Sequence, residues 1–387
     1  MYAVSGNNKA YTGGVNMQEI MFASENYSEL DRYFTNINAA RVFLVCGKSL
    51  GSLKLGKYFD ELENRTGIGI VRFSDFSPNP KYGSAVAAAK AFRESNCGAI
   101  VAVGGGSAID VAKCVKAFVG MELDCDCLAQ RLVPNKLPFL AVPTTAGTGS
   151  EATGFSVIYK DGEKQSVEDE SLVPSAVLFD AAVLKSLPEY HKKSAMLDAL
   201  CHAVEAAWSV HSTDESRGYS RQAIKLVAAN AEAYLSGDSK AAEQMMRAAY
   251  LAGKAINIAR TTAGHAMCYK LTMMYGLAHG HATALCNEVL IPYMLKNTDD
   301  CIDKRGKAHL DGVFADIAES MGCATPNEMA EKFSALVSGL GLERPEPNSA
   351  ADIGILADSV NEDRLGNFPI KLTKDTLVTL YGQILKA

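Results

Sequence analysis

Four short apolar runs, each rich in β-branched residues, constrain the first half of this chain most. They are RVFLVCG (41–47), GIVRF (69–73), AIVAVGGG (99–106) and FLAVPTT (139–145). Between them, LGKYFDELENRTG, GSAVAAAKAFRESN (83–96) and SAIDVAKCVKAFV place apolar residues at helical intervals. Such alternation predicts a mostly parallel sheet with helices on its faces, because parallel neighbours need a crossover. FSVIYKDGEKQSVED predicts a hairpin turning at Asp161-Gly162, and SAVLFD (175–180) a further strand. From about Pro188 the period changes. Alanine-rich helical patterns run over 194–209, 214–235, 240–257, 279–296, 306–320 and 373–386. The expected architecture is an α/β domain over 1–184 followed by an all-α domain over 185–387. A cleft between two such domains is a usual place for a ligand.

The totals agree with two domains, since 387 residues exceed one compact core. Apolar residues make up 48% and charged residues 21%, which suits a globular chain with a sizeable core. A net charge of -6 argues against nucleic acid as a partner, and an anionic substrate would need a local basic cluster. No apolar run is long enough for a transmembrane helix. The opening MYAVSGNNKAYTGG has no basic-then-apolar signal pattern, so a loose leader is expected, with Met17 an alternative start. Ten cysteines without framework spacing predict free thiols in a reducing compartment, hence the cytoplasm.

Two loops carry phosphate-binding chemistry. VAVGGGSAIDVAK is a strand, then Gly104-Gly105-Gly106-Ser107, then a helix. Glycines let backbone approach a phosphate, and the helix start supplies free N–H groups. It is not GxGxxG, and such turns also serve packing. VPTTAGTGSEAT (142–153) leaves a second strand with hydroxyls on Thr144, Thr145, Thr148 and Ser150, and could equally be a self-capping turn. Two such loops at the carboxyl edge of one parallel sheet favour a nucleotide.

Of seven histidines, three stand in a suggestive relation to one carboxylate. Asp198 and His202, four apart in LDALCHAVEA, share a helix face. His265 begins HAMCYKLTMMYG and His279 begins HGHATAL. One carboxylate with three imidazoles suits Fe(II) or Zn(II). A lone histidine is more often a buried ring bonded to a carbonyl. The apolar surroundings of Asp198 nevertheless favour a metal, because a bare buried carboxylate is costly.

Together these segments resemble the iron-dependent (group III) alcohol dehydrogenases. The matching pieces are PNP (78–80), GGGSAIDVAK (104–113), VPTTAGTGSEAT (142–153), DALCHAVEA (198–206) and HAMCYKLTMMYGLAHGHA (265–282). The resemblance covers residues 17 to 387. It implies a nucleotide-binding α/β domain, a helical domain and a metal in the cleft, the architecture shared with dehydroquinate synthase-like enzymes. By position it assigns Asp198, His202, His265 and His279 to the metal. It assigns Asn79, Gly105, Gly106, Ser107, Thr144, Thr145, Thr148 and Lys164 to the nicotinamide cofactor. The implied reaction uses the metal as a Lewis acid on a carbonyl and NAD(P)H as hydride donor.

Three departures from the common family pattern narrow this. Gly47 stands where many members have an aspartate that binds the adenosine ribose, and Lys48 follows; this favours acceptance of a 2′-phosphate and hence NADPH, the alternative being that Gly47 only shapes a turn. Tyr269 stands where many members have a proton-relay histidine, and His281 is a possible substitute or a helix-start residue. Arg260 and Lys270 flank the third histidine. A cation pair there suits an anionic substrate, although pairing with a nearby carboxylate is the common structural use. ARTTAGHAMCYKLT, AAWSVHSTDESRGYS (206–220) and NEDRLGNFPIKLT (361–373) resemble the phosphonoacetaldehyde reductase branch. That implies reduction of phosphonoacetaldehyde to 2-hydroxyethylphosphonate, with Arg260, Lys270 and Arg364 on the phosphonate. The alternatives are a general short-chain alcohol dehydrogenase, a dehydroquinate synthase-like lyase, and a metal-binding protein without catalysis. A homodimer is the expected assembly.

Overall fold

The computed structural model describes residues 18–361 and 365–385. The expected leader and Arg364 lie outside the described residues. These fall into two compact units, one drawn from Met1–Thr145 and Ser150–Ser186, the other from Ala146–Gly149 and Leu187–Ala387.

In the first unit, the described residues form a six-stranded sheet in the order β1-β8-β5-β4-β2-β3, with every neighbouring pair parallel. Its strands are β1 (Glu19–Phe22), β2 (Arg41–Cys46), β3 (Gly69–Phe73), β4 (Ala99–Gly104), β5 (Phe139–Pro143) and β8 (Ala176–Phe179). Strands β2, β4, β5 and β8 are buried over nearly their whole length. This is why they read as continuous apolar runs rather than alternating ones. Helices α1 (Ser28–Ile37), α2 (Lys54–Asp60), α3 (Leu62–Thr66), α4 (Tyr82–Glu94) and α5 (Gly106–Phe118) accompany them. Phe43, Ile100, Val111 and Phe139 meet in a fully buried cluster, each side chain contributing roughly 1.5–3 kcal/mol. Strand order runs outward from β2 to β3, then crosses back to β4 on the other side. That reversal between β2 and β4 is where such sheets open a crevice at their carboxyl ends.

The hairpin is β6 (Phe155–Lys160) with β7 (Glu163–Glu168). Asp161 and Gly162 both take positive φ, 53° and 82°, the two-residue turn that matches strand twist. The hairpin is tied to α5 by buried charge. Lys113 Nζ donates to Ser150 Oγ (3.0 Å), Thr153 Oγ1 (2.9 Å) and the Phe155 carbonyl (2.8 Å). Asp110 accepts from Ser150 Oγ and the Val157 amide. Burial pushes Lys113 down to about 8 and Asp110 up, the pattern of charges taken out of water.

The second unit is helical. Its described helices are α6 (Glu189–Trp208), α7 (Asp214–Leu235), α8 (Ser239–Ala259), α9 (Ala263–Tyr275), α10 (His279–Lys296), α11 (Lys307–Ser320), α12 (Pro326–Gly339), α13 (Asp352–Asp358) and α14 (Lys374–Ile384). Side-chain caps mark several starts: Thr213 with Ser216 for α7, Asp238 for α8, Thr325 for α12 and Thr373 for α14. Helix α6 packs on α7, α8 and α10 and is buried without a break from Met196 to Trp208. Loop residues 146–149 belong to this unit for a steric reason. A Cβ on Gly147 would stand 2.6 Å from the Ala195 carbonyl of α6, and one on Gly149 2.8 Å from the Ala249 carbonyl of α8. Among the described residues no helix is long and apolar enough to cross a membrane, and the cysteines carry no disulfide.

Candidate active site

Helix α6 presents Asp198, His202 and Glu205 at positions i, i+4 and i+7, one buried stripe. His265 comes from the first turn of α9 and His279 from the first residue of α10. Ligand atoms of Asp198, His202 and His265 lie within 4.8 Å of one another. Asp198 Oδ1 stands 3.6 Å from His265 Nε2 and 3.9 Å from His279 Nε2. The His202 and His265 rings stack with centroids 4.5 Å apart. Asp198 Oδ1 and His265 Nε2 are both buried and have no hydrogen-bond partner. Two orphaned lone-pair carriers facing each other at that separation are what a divalent cation between them would satisfy. The donor set therefore fits a metal, and one carboxylate with imidazoles suits Fe(II) and Zn(II) alike.

The electrostatics agree. Burial alone would raise Asp198, but His202, His265 and His279 more than offset it and hold the carboxyl well below its usual range. Burial would lower His265, yet Glu205 and Asp198 pull it up to about 9. Two buried carboxylates thus demand positive charge at this point, which protons supply when no cation is bound.

Glu205, given no role in the sequence reading, organises the centre. Its Oε1 accepts from His265 Nδ1 (2.7 Å) and Asn287 Nδ2 (2.8 Å). Its Oε2 accepts from the Thr262 amide (2.6 Å) and Thr262 Oγ1 (2.9 Å). A carboxylate on Nδ1–H fixes the tautomer that leaves Nε2 free to ligate. The same carboxylate caps α9, whose own N-cap residue Thr262 makes no side-chain cap bond, and complements the helix dipole. The available signal was spacing: a third acid on the buried face, one turn beyond His202. Glycines admit the close packing. A Cβ on Gly264 would lie 2.6 Å from the Asn287 amide group. One on Gly280 would lie 2.7 Å from Asp198 Cβ and nearer still to the Ser194 carbonyl.

The other expected residues fall as follows. Tyr269, one turn after His265, stacks on His279 with centroids 5.7 Å apart and planes at 21°. His281 is buried; its Nδ1 lies 3.2 Å from the Tyr190 hydroxyl and its amide donates to Ser194 Oγ. Burial and Arg344 push its ring down to about 4, so it is neutral. Arg260 is the residue after α8, with φ 66° and ψ 170°, and burial lowers its guanidinium. Lys270 is half-buried on α9. In the first unit, Gly105 is the N-cap of α5, and Gly106 and Ser107 form its first turn. The Thr144 amide donates to the Gly104 carbonyl (3.0 Å). A Cβ on Gly105 would meet Thr145 at 3.3 Å, so the glycine and threonine loops touch. Thr145 Oγ1 is buried without a partner. Together with the open start of α5, this fits a phosphate. Gly47 follows β2, Asn79 has φ 56°, and Lys164 lies in β7 opposite Tyr159. Thr148 belongs to the second unit.

Comparison with known proteins decides the lineage. The family model described as iron-containing alcohol dehydrogenase matches residues 17–181, and that of the family's C-terminal part matches 193–385. The chain belongs to the iron-containing alcohol dehydrogenase family. Its relatives include a phosphonoacetaldehyde reductase of Streptomyces viridochromogenes, 33% identical over 78% of this chain and 79% of that protein. An aldehyde-alcohol dehydrogenase of Streptococcus pneumoniae is 30% identical over 84% of this chain, which spans only 40% of that longer protein. Among solved structures, the sulfoacetaldehyde reductase of Bifidobacterium kashiwanohense in complex with NAD+ superposes with a TM-score of 0.85 at 25% identity, covering 99% of this chain and 100% of that one. As a member of this dehydrogenase family the protein is an oxidoreductase of the alcohol–aldehyde class, which sets aside the lyase and non-catalytic readings.

Proposed function

We propose that this enzyme reduces a small aldehyde bearing an anionic group, foremost phosphonoacetaldehyde to 2-hydroxyethylphosphonate. The observation that carries the reading is the buried, unpartnered pair Asp198 Oδ1 and His265 Nε2, 3.6 Å apart, with cationic Arg260 and Lys270 on the segments flanking His265. Two of the relatives are named for acetaldehydes that carry a phosphonate or a sulfonate, and this supports an anionic substrate here. Asp198, His202, His265 and His279 hold the metal. Bound there, Fe(II) or Zn(II) supplies Lewis acidity to the aldehyde oxygen, and NADPH or NADH supplies the hydride. Glu205 keeps the His265 proton on Nδ1. Arg260 holds the anion in a bidentate fork, strengthened because its guanidinium is already partly desolvated. Lys270 adds a second cation.

Proton delivery to the product is assigned to Tyr269, which stacks directly on His279, rather than to His281, whose ring is neutral and tied to Tyr190. The cofactor pyrophosphate rests on Gly105, Gly106, Ser107, Thr144 and Thr145, with Asn79 and Lys164 of the same unit completing the set. Gly47 and Lys48 leave room and charge for a 2′-phosphate.

The test is initial-rate oxidation of NADPH and NADH by the metal-loaded enzyme with phosphonoacetaldehyde, propionaldehyde and succinic semialdehyde. A kcat/KM for phosphonoacetaldehyde about 100-fold above propionaldehyde, about 2.7 kcal/mol, is expected. Equal or faster turnover of the neutral aldehyde would return the protein to general short-chain alcohol chemistry.

A further inference from the structure

Six described non-glycine residues have positive φ, and five of them lie at φ 50–56°. Arg260 differs: φ 66° with ψ 170° is a region that residues with a Cβ scarcely enter. Such a conformation persists only where neighbours over-determine it, and here they are visible. The Arg260 amide closes α8 on the Ile256 carbonyl (2.9 Å). Ser209 Oγ donates to the Ala259 carbonyl (2.5 Å), and Asn367 Nδ2 to the Thr261 carbonyl (3.1 Å). Asn367 is itself anchored, its carbonyl accepting from the Val210 amide (3.0 Å). Beyond the turn, Thr262 gives both its amide and its hydroxyl to Glu205 Oε2, and Trp208 Nε1 donates to the Thr262 hydroxyl (2.9 Å). The other oxygen of that carboxylate holds His265 Nδ1.

We propose that Glu205 is a positioning residue that fixes the Arg260 turn and the His265 ring together, with Asn367 clamping the turn from its far side. One buried carboxylate then sets both the nitrogen that faces the metal and the arginine that selects the substrate. The second half rests on the reading of Arg260 as an anion holder; the first half does not. An acid serves here and an amide does not. Every group around Glu205 is a donor, so Glu205→Gln must turn an NH2 toward either Thr262 or His265.

The experiment compares wild type, Glu205→Gln, Asn367→Ala and Arg260→Ala as full chains. Zn(II) affinity of the metal-free proteins is read by competition with a chromophoric chelator. Selectivity is read as the ratio of kcat/KM for phosphonoacetaldehyde to that for propionaldehyde. Glu205→Gln is expected to weaken Zn(II) binding roughly 10–100-fold, as loss of an outer-shell partner does, and to lower the selectivity ratio. Asn367→Ala is expected to keep Zn(II) affinity while lowering selectivity about tenfold, short of the 10²-fold that a 1 Å misplacement costs. A purely structural role would not separate the two readouts in this way. Unchanged Zn(II) affinity in Glu205→Gln overturns the tie to His265. Unchanged selectivity in Asn367→Ala, with selectivity lost in Arg260→Ala, overturns the clamp. Unchanged selectivity in Arg260→Ala refutes the anion reading instead, and the Zn(II) arm still decides Glu205. Should Glu205→Gln fail to fold, Thr262→Val removes one of its donors, and weaker Zn(II) binding is again required.

Discussion

Gly280 lies between His279 and His281 in the first turn of α10, against the face of α6 that carries Asp198. Replacing it with alanine adds one methyl where there is no room. That carbon would lie 2.7 Å from Asp198 Cβ, 2.9 Å from the Asp198 amide and closer still to the Ser194 carbonyl. All three obstacles belong to the backbone or Cβ of a helix buried without a break from Met196 to Trp208, so none can swing aside. The start of α10 must therefore retreat by roughly 1 Å to reach ordinary contact, a displacement that can cost about 10²-fold in rate. Overpacking of this kind destabilises by about 1–3 kcal/mol. The retreat carries His279 Nε2 away from Asp198 Oδ1, now 3.9 Å distant, while His202 and His265 stay in place. Expected together are a lowered thermal midpoint, Zn(II) affinity reduced on the order of 10²-fold (about 2.7 kcal/mol) and a comparable loss in kcat. The control is Gly354→Ala in α13, where a Cβ meets nothing within 4 Å; it should leave all three unchanged. If Gly280→Ala lost stability but bound Zn(II) like wild type, the link between this packing and His279 would be refuted.

Arg260→Gly should stabilise the protein while removing the proposed preference for anionic aldehydes. Release of about 1–3 kcal/mol of backbone strain exceeds the roughly 0.5–1 kcal/mol entropic penalty of glycine, so a higher unfolding midpoint with lost selectivity is expected, and a lower midpoint contradicts it. In the metal-free protein His265 rises from 6.5 when unfolded to about 9 when folded. Its contribution to stability is therefore complete below the unfolded value and vanishes as pH climbs through about 9. Metal must displace that proton, so Zn(II) affinity should increase steadily from pH 7 to 9 in chelator competition; a flat profile would reject the assignment. Tyr269→Phe should lower kcat by about 10²-fold at neutral pH and by more than His281→Ala does. The reverse order, read from kcat–pH profiles, would move the proton role to His281.

How much of this was legible beforehand follows from how local each signal is. Strands β2, β4, β5 and β8 were readable because burial on both faces writes a continuous apolar run into a few consecutive residues; β3, an edge strand with no fully buried residue, was readable from its β-branched and aromatic residues alone. The β6–β7 hairpin was readable from Asp161-Gly162, since two positive φ values in a row restrict the residue choice. Strand β1 was not, because four residues are too few for a pattern and its partner β8 is more than 150 residues away. Helix α9, which carries His265, has no local helical signature either. It is buried along most of its first half, so no polar face marks its period, and its cap comes from Glu205 on another helix.

The sequence by itself determined which residue types are on offer and at what spacing: an aspartate and histidines of the kind that can ligate a metal, loops rich in glycine and threonine, and the alternation that makes a parallel sheet. Those are properties of residue type and short-range spacing. Only the tertiary structure decided that Glu205 holds His265 and caps α9, that Gly280 lets α10 close on Asp198, and that Arg260 occupies a backbone conformation held by Asn367 and Thr262. Each of these depends on the approach of segments far apart in the chain. A distance of 2.7 Å between Glu205 and His265 is set by the packing of α6 and of α9 on α10, and no local pattern encodes it.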